Sequence, residues 1–415
     1  MREVHERSPQ RSSLTRRRLL TGAGALAAAG WIAGGGGWWL RPRWANAAAG
    51  SIKMGIAFDI TGAIAPTGKA DWQVAQFAVD EINAAGGVAG KPIELFLADT
   101  ASDPKVAVTN VRKLLEEHKV DVVIGGTFSS IRQAIKDPVI NHGQTLYIYP
   151  TVYEGAECTK HLYCTGPTPP QQSDPLIPYI IKTLGKKRFA LPGSDYVYPH
   201  VAHKYARTVI EENGGEVVLE EYYPLDQAEY SSTISKIRDG KVDCVYNAVV
   251  PPGVQPFFKQ LYESGFRKNG GVLSCSFFDD SVVNYFPADE VDGLYSCTDY
   301  YLTVDDPFSK ELQAQYATKF PDTKYLFTAI PAGTYRGVKF YEAAVRATNG
   351  DLAREAVSEA LDKAVLTQGL GGGAEMVPGK MHCKMNTYLA VCRAAEDKVR
   401  FDVIEKYPMA DPKQC

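Results

Sequence analysis

At 415 residues the chain has room for two or three domains with substantial cores, and 45% hydrophobic with 22% charged residues is the composition of an ordinary globular protein. The net charge of −3 is unevenly spread, because eight arginines against Glu3 and Glu6 give residues 1–47 a charge of +6. The remainder therefore carries about −9. An acidic body argues against a nucleic-acid partner or an anionic membrane surface.

The basic N-terminus has the pattern of an export signal. Thr15-Arg16-Arg17-Arg18-Leu19-Leu20 is a twin-arginine motif, an apolar Gly/Ala-rich run continues to Leu40, and Ala45-Asn46-Ala47 offers small residues for cleavage. We therefore assign residues 1–47 to a twin-arginine signal peptide and expect a periplasmic mature protein that does not span the membrane. The alternative is that the apolar run, which is long enough to cross a bilayer, is kept as an anchor.

From residue 51 onwards the sequence alternates between strand and helix patterns. In the first part, strands are predicted at residues 52–58, 93–98, 120–124 and 145–149, and helices at 71–85, from 103 onwards and at 129–140. A stiff segment, Gly166–Pro170, then interrupts the rhythm. Beyond it, strands are predicted at 188–192, 216–223, 243–250, 272–277 and 293–297, and helices at 174–184, 199–213, 230–239 and 254–263. This alternation predicts two α/β units with mostly parallel sheets flanked by helices.

The last part of the chain is first helical and then strand-like. Helices are predicted at 308–319, 332–349 and 352–363, and we expect them to return to the first α/β unit. Residues 369–373 are a glycine-rich hinge candidate, and residues 387–393 and 399–405 alternate like an antiparallel hairpin.

Eight cysteines follow the signal segment, and an oxidising compartment permits disulfides. We expect Cys158 to pair with Cys164, because their proximity in sequence makes the loop easy to close. The other six stay unassigned, and buried free thiols are the alternative for Cys244 and Cys275, which lie on predicted strands.

The segment from Asp80 to Ile93, DEINAAGGVAGKPI, together with Asp99 and Asp103-Pro104, closely resembles type I periplasmic binding proteins of branched-chain amino acid ABC transporters. Three further motifs resemble the short-chain amide and urea branch of that family: Tyr149-Pro150-Thr151 with Tyr153-Glu154-Gly155, the segment Gly193–Pro199, and Glu220-Glu221-Tyr222 with Pro224-Leu225.

The resemblance implies a two-lobed α/β fold with three crossing segments and a ligand held in the cleft. Lobe 1 would comprise residues 51–168 plus 302–372, and lobe 2 residues 169–301 plus 373–415. In open α/β sheets ligands bind beyond the carboxyl ends of the strands, so the cleft is expected there, with the lobes closing on the ligand by a hinge motion.

The family's ligand contacts map onto strand ends and the turns that follow them. The candidate ligand-binding residues are Ser129, Tyr149, Thr151, Tyr196, Val250, Ser276, Phe277 and Phe278. Ser129 opens a helix, so its hydroxyl and the first-turn amides can donate to a ligand oxygen; the alternative is a plain N-cap serine. Phe277 and Phe278 stand where the amide branch has small polar residues, which favours a ligand group that stacks on aromatic rings.

The charges of the candidate stretches restrict the ligand. No Lys or Arg occurs in residues 127–130, 149–155, 193–199, 247–253 or 274–280, which disfavours a multiply charged anion. A neutral amide- or urea-like ligand, or a zwitterion such as a branched-chain or aromatic amino acid, fits better. An ammonium group would need a carboxylate, and Glu154, Asp195, Asp279 and Asp280 are the candidates.

Catalytic and metal-binding patterns are weak. We find no Gly-x-Ser-x-Gly elbow or phosphate-binding loop, and expect His200 and His203 to face solvent rather than bind a metal. The run Met381–Met385 resembles a soft-metal site only superficially. Together with these weak patterns, the resemblance implies a binding protein without cofactor or metal, which delivers a small molecule to an inner-membrane ABC permease. The alternative is a ligand-sensing protein of the amide-sensor type.

Overall fold

The computed structural model describes residues 50–395 and 398–415, so the signal-peptide prediction for residues 1–47 lies outside the described residues. The strands are β1 Ile52–Phe58, β2 Ile93–Asp99, β3 Val122–Gly125, β4 Leu146–Tyr149, β5 Leu162–Cys164, β6 Arg188–Ser194, β7 Glu216–Tyr223, β8 Cys244–Tyr246, β9 Val272–Ser274, β10 Tyr295–Thr298, β11 Val365–Leu366, β12 Ala374–Val377, β13 His382–Ala395 and β14 Lys398–Ala410. The helices are α1 Ala65–Ala84, α2 Pro104–Lys113, α3 Ser129–Asp137, α4 Pro169–Lys182, α5 Val197–Glu212, α6 Ser231–Asp239, α7 Val254–Glu263, α8 Asp280–Val283, α9 Ala288–Val291, α10 Pro307–Lys319, α11 Ala329–Ala347 and α12 Arg354–Leu361. Single π-helical turns, Leu114–His118 and Pro138–His142, continue α2 and α3.

Within the described residues the strands join in one fourteen-stranded sheet, whose main path runs β2-β1-β3-β4-β5-β13-β10-β9-β8-β6-β7. All pairs among β1 to β10 are parallel. β13 lies between the two halves of the path, parallel to β5 and antiparallel to β10, and forms the predicted antiparallel hairpin with β14. The expected mixed α/β fold with mostly parallel strands is confirmed.

The short inner strands are apolar because helices cover both faces of the sheet. β3 and β4 are buried at every position, as parallel strands between two helical layers must be. α11 packs against α1 and β3, so the late helices do return to the first half of the sheet. Gly333 permits this close approach, because a Cβ there would collide with the carbonyl oxygen of Pro150.

The expected disulfide between Cys158 and Cys164 is wrong, because Cys158 is bonded to Cys415. Strand β5, which the sequence analysis missed, holds Cys164 as a buried free thiol in the sheet. Cys158 precedes that strand in a loop, where the C-terminal segment after β14 brings the Cα of Cys415 to 5.7 Å. Two cysteines that are close in sequence form a disulfide only if their side chains point toward each other. The position of Cys164 on a strand of the sheet keeps its thiol in the core. Cys244 and Cys275 are buried free thiols, as the alternative expected.

Candidate functional site

A cavity of about 90 Å³ lies beyond the carboxyl ends of the parallel strands. Its walls come from the segments that follow β1, β3, β4, β6, β8 and β9, together with the first turn of α11. The lining residues are Ile64, Thr67, Thr127, Phe128, Ser129, Thr151, Val152, Tyr196, Tyr198, Val250, Pro251, Phe277, Val282 and Ile330. The cavity is therefore where the sheet topology predicts a ligand.

The polar part of the wall is the first turn of α3 and the end of β4. Phe128 is the N-cap residue of α3 and makes no side-chain capping hydrogen bond. The amides of a first helical turn have no partners within the helix and carry the positive end of the helix dipole. Ser129 and Thr151 line the cavity beside this turn, and the Thr151 hydroxyl donates to the carbonyl oxygen of Gly126 at 3.3 Å. This wall can donate hydrogen bonds to a ligand oxygen.

A buried arginine, which the sequence analysis missed, lies behind this wall. Arg132 is 1% exposed; its Nη2 donates to Glu154 at 2.6 Å and its Nε to Glu157 at 3.3 Å. Its guanidinium lies over the rings of Tyr149 and Tyr153, 4.9 and 4.7 Å from their centroids. The survey of charges in the candidate stretches found no cation because Arg132 lies two residues beyond the end of the stretch 127–130.

Ser129 and Glu154 connect the cavity wall to this ion pair. The Ser129 hydroxyl lies 2.5 Å from the second oxygen of Glu154. A carboxylate can only accept hydrogen bonds, so the serine donates its hydrogen and keeps its oxygen lone pairs for the cavity. Ser129 is thus an acceptor for a ligand N–H group, which the sequence analysis did not foresee.

Tyr149 lies behind the cavity instead of on its wall. Its side chain is fully buried, and its hydroxyl donates to the carbonyl oxygen of Thr127 at 3.0 Å. Burial raises the pKa of the phenol above its ordinary value, although the Arg132 guanidinium opposes this shift, so Tyr149 stays protonated. The structure thus gives Tyr149 a supporting contact to the loop that carries Ser129.

The opposite wall is aromatic. Tyr198 meets Phe277 edge to face with ring centroids 6.1 Å apart, and Tyr196 meets Phe128, the N-cap of α3 on the polar side, in the same way at 5.6 Å. Val250 completes this side. Such rings offer flat apolar surface to a ligand and favour edge-to-face and stacked contacts.

Two candidates from the second half of the sheet lie away from the cavity wall. The carbonyl oxygen of Ser276 accepts from Gln172 at 2.5 Å, and its hydroxyl is 3.4 Å from that of Tyr198. Phe278 is fully buried against Phe258 and Phe286, with ring centroids 5.3 and 5.6 Å away. Of the eight candidates, the structure brings together at the cavity Ser129, Thr151, Tyr196, Val250 and Phe277.

Several lining residues were missed. Thr67 and Ile64 follow β1, so the rule that ligands bind at strand ends could have found them. Val282 and Ile330 come from α8 and α11, and no local pattern distinguishes them from other apolar helix residues.

The carboxylates considered as ammonium partners are already engaged. Arg132 and Ser129 occupy Glu154, His200 binds Asp195 at 2.8 Å, and the Leu302 amide donates to Asp280 at 2.9 Å. Burial raises the pKa of Asp280 to about 6. Within the described part of the chain, the residues that line the cavity include no Lys, Arg, Asp or Glu.

The prediction that His203 faces solvent is wrong, because α5 turns it into the core. It is fully buried near the rings of Tyr222 and Tyr246, and burial lowers its pKa to about 3. His200 remains half-exposed and stacks on Tyr222 at 3.7 Å. Among residues 50–395 and 398–415 no cluster of three or more His, Cys, Asp or Glu side chains is arranged for a metal ion.

Residues 51–397 match the sequence profile of the family described as periplasmic binding protein. The chain belongs to the periplasmic binding protein family. This confirms the resemblance to periplasmic binding proteins, whereas the closer resemblance to the amide and urea branch stays a prediction. The chain is a binding protein, as expected, and not an enzyme. In the described residues, we find no helix that combines the length and apolar character required to cross a membrane.

Similar proteins support the same assignment. The chain is 27% identical over 331 residues to the Leu/Ile/Val-binding protein BraC3 of Rhizobium johnstonii, covering 76% of this chain and 84% of that protein. It is 28% identical to an amino acid binding protein of Pseudomonas aeruginosa over 55% of this chain. This match covers 62% of the relative, less than two thirds of its length. A solute binding protein of an ABC transporter from Rhodopseudomonas palustris BisB5, solved with 3,4-dihydroxybenzoic acid, has the same fold, with a TM-score of 0.79 and 22% identity over 88% of this chain and 99% of that one.

Proposed function

We propose that the chain is the exported solute-binding component of an ABC importer, which captures a small polar molecule in the cavity and presents it to an inner-membrane permease. The observation that carries this proposal is the cavity itself, with a hydrogen-bonding wall at α3 and an aromatic wall of Tyr196, Tyr198 and Phe277 from the second half of the sheet. Closure of the two halves on the ligand would be the signal that the permease reads.

The polar wall favours a ligand that has both an oxygen acceptor and an N–H donor. The first turn of α3 offers donors, whereas the Ser129 oxygen, whose hydrogen goes to Glu154, offers an acceptor. An α-amino acid presents a carboxylate and an ammonium group, and a primary amide presents a carbonyl and an NH₂ group. A benzoate lacks the nitrogen donor. We therefore place amino acids and amides ahead of aromatic acids such as the one bound by the Rhodopseudomonas protein.

The aromatic wall and the cavity size restrict the rest of the ligand. The absence of charged lining side chains among the described residues favours a neutral or zwitterionic molecule over a dianion. The volume of about 90 Å³ is smaller than the roughly 150 Å³ of an apolar cavity that takes up benzene. A compact apolar group, such as a branched aliphatic side chain, fits this space better than an extended one.

The test combines ligand identification with a matched pair of variants. Mass spectrometry of small molecules released from purified protein is followed by calorimetry with valine, leucine, isoleucine, phenylalanine, acetamide, urea and benzoate. Ser129→Ala should weaken binding of the best compound about tenfold or more, since it removes one hydrogen-bonding group. Ser130→Ala, at the next position and off the cavity wall, is the control.

Equal affinities of the two serine variants would contradict the site. A best ligand with two or more negative charges would contradict the ligand class. If the site holds, loss of uptake of the same compound in a strain that lacks the gene would support transport. Unchanged uptake would favour the sensing alternative.

A further inference from the structure

The carboxylate of Asp279 joins the first turns of two helices. It is fully buried and is the N-cap of α8, where its Oδ1 accepts from the amides of Ser281 at 2.9 Å and Val282 at 3.2 Å. Its Oδ2 accepts from the hydroxyl of Thr328 at 2.6 Å and the amide of Ile330 at 3.1 Å. One side chain therefore caps its own helix and the start of α11.

The cap on α11 is unusual because a suitable residue is already present there. Thr328 is the N-cap residue of α11 and could accept from its first-turn amides. Its side chain makes no capping hydrogen bond and instead donates to Asp279, whose same oxygen accepts from the Ile330 amide. The start of α11 thus depends on a carboxylate 49 residues away in sequence from Thr328.

The two helices belong to different halves of the sheet. α8 follows β9, which pairs with β8 and β10 in the second half, whereas α11 packs on α1 and β3 in the first. The Asp279 contacts therefore join the two halves of the sheet.

The same two turns form a partition at the end of the ligand cavity. Val282 and Ile330, with Thr67 of α1, line both the inner cavity and an outer groove of about 320 Å³. Beyond them the groove is bordered by Asn284, by Tyr285, which is 57% exposed, and by Tyr325. The backbone amides of Val282 and Ile330 are two of those held by Asp279.

We infer that Asp279 is a positioning residue that holds Val282 and Ile330 together, and that this partition sets the maximum length of the ligand. The inference rests on the proposed function in one respect, that the inner cavity takes the ligand. Without the partition, the outer groove accommodates the far end of a longer molecule between Tyr285 and Tyr325.

The first experiment is hydrogen–deuterium exchange without ligand, in the full mature protein. Asp279→Asn keeps the size of the side chain but leaves fewer acceptor positions for the donors on α8 and α11. Exchange should become about tenfold faster in peptides that cover residues 279–283 and 328–333. The matched control is Asp103→Asn, at the N-cap of α2, whose side chain caps only its own helix. It should change exchange only near residues 103–106.

Thr328→Val keeps the shape of the side chain and removes one donor to Asp279, so it should affect residues 328–333 and spare 279–283. This variant also keeps the test decisive if Asp279→Asn folds poorly. The role of Asp279 at α11 would be overturned by two results together. Asp279→Asn would speed exchange only at residues 279–283, and Thr328→Val would have no effect on exchange.

The second experiment tests the partition with two probe series, the straight-chain α-amino acids from alanine to norleucine and the primary amides from acetamide to hexanamide. Calorimetry on the wild type should show a length beyond which affinity falls. Val282→Ala should gain at least tenfold affinity for the members just beyond that limit, without comparable gain for the shortest. An unchanged limit would overturn the partition. If the wild type binds no member of either series, the proposed ligand class fails, and the exchange experiment alone decides the role of Asp279.

Discussion

The Ser129 hydroxyl lies 2.5 Å from the carboxylate of Glu154, whose other oxygen accepts from Arg132 at 2.6 Å. A residue on the cavity wall is therefore fixed by an ion pair that does not itself line the cavity. Because the Ser129 hydroxyl donates its hydrogen to Glu154, the orientation of the Ser129 oxygen is set before a ligand binds. Preorganised polar groups of this kind reduce the cost of ordering on binding.

Removal of the buried ion pair between Arg132 and Glu154 should destabilise the protein. Arg132→Met leaves Glu154 without its charged partner in an environment where Arg132 and Glu154 are 1% and 5% exposed. We expect a loss of about 3–5 kcal/mol in the free energy of unfolding, because an uncompensated buried charge remains. Urea denaturation measures this loss. The double variant Arg132→Met/Glu154→Gln should recover part of the lost free energy of unfolding. If the loss in the double variant equals the sum of the losses in the two single variants, the two residues are not coupled.

Two adjacent phenylalanines should separate binding from stability. Phe278 is fully buried against other rings, so Phe278→Ala should cost about 3–5 kcal/mol of unfolding free energy. Phe277 lines the cavity, so Phe277→Ala should change the affinity for the ligand and cost less stability. Denaturation and calorimetry on both variants check this, and a similar loss of affinity in the two would contradict the placement.

Asp71 makes the stability of the protein depend on pH. Its side chain is buried in α1, Oδ1 accepts from the Thr334 hydroxyl at 2.7 Å, and Oδ2 has no hydrogen-bond partner. Burial, opposed by the hydrogen bond from Thr334 and reinforced by Asp59 and Asp279, raises its pKa from 3.8 to about 8. Between these values the folded state binds the proton and the unfolded state does not, so stability falls as the pH rises, by up to about 1.4 kcal/mol per pH unit.

Asp71→Asn should remove this slope, because the amide resembles the protonated acid. The variant and the wild type should have nearly the same free energy of unfolding at about pH 4. Above that pH the free energy of unfolding of the variant should exceed that of the wild type, increasingly so up to about pH 8. Asp80→Asn, on the exposed side of the same helix, is the control. Parallel pH curves for wild type and Asp71→Asn would show that Asp71 is ionised in the folded protein.

The disulfide between Cys158 and Cys415 closes a long loop, with a sequence separation of 257 residues. Cys415→Ser should lower the free energy of unfolding by about 3–5 kcal/mol and make stability insensitive to reductant. Cys164→Ala should remain sensitive to reductant, since that thiol is free. Guanidinium denaturation with and without dithiothreitol tests both, and a non-reduced peptide that joins Cys158 to Cys164 would contradict the pairing.

Much of the site could be predicted because parallel strands place their carboxyl ends at one edge of the sheet. Ser129, Thr151, Tyr196, Val250 and Phe277 all follow such ends, and all line the cavity. Tyr149, Ser276 and Phe278 lie within two residues of these positions. Alternation along an extended segment does not reveal which neighbour faces the ligand and which faces the core.

The amino-acid sequence by itself determined the alternation of strands and helices, the C-terminal hairpin and the family, because apolar periodicity and local turn chemistry act between near neighbours. Only the tertiary structure decided that Arg132 supports Ser129, that Cys158 meets Cys415, and that Asp279 reaches α11. Each of these contacts joins segments distant in the chain. Their partners depend on how the sheet is ordered and which helices return to it, which no single stretch of sequence encodes.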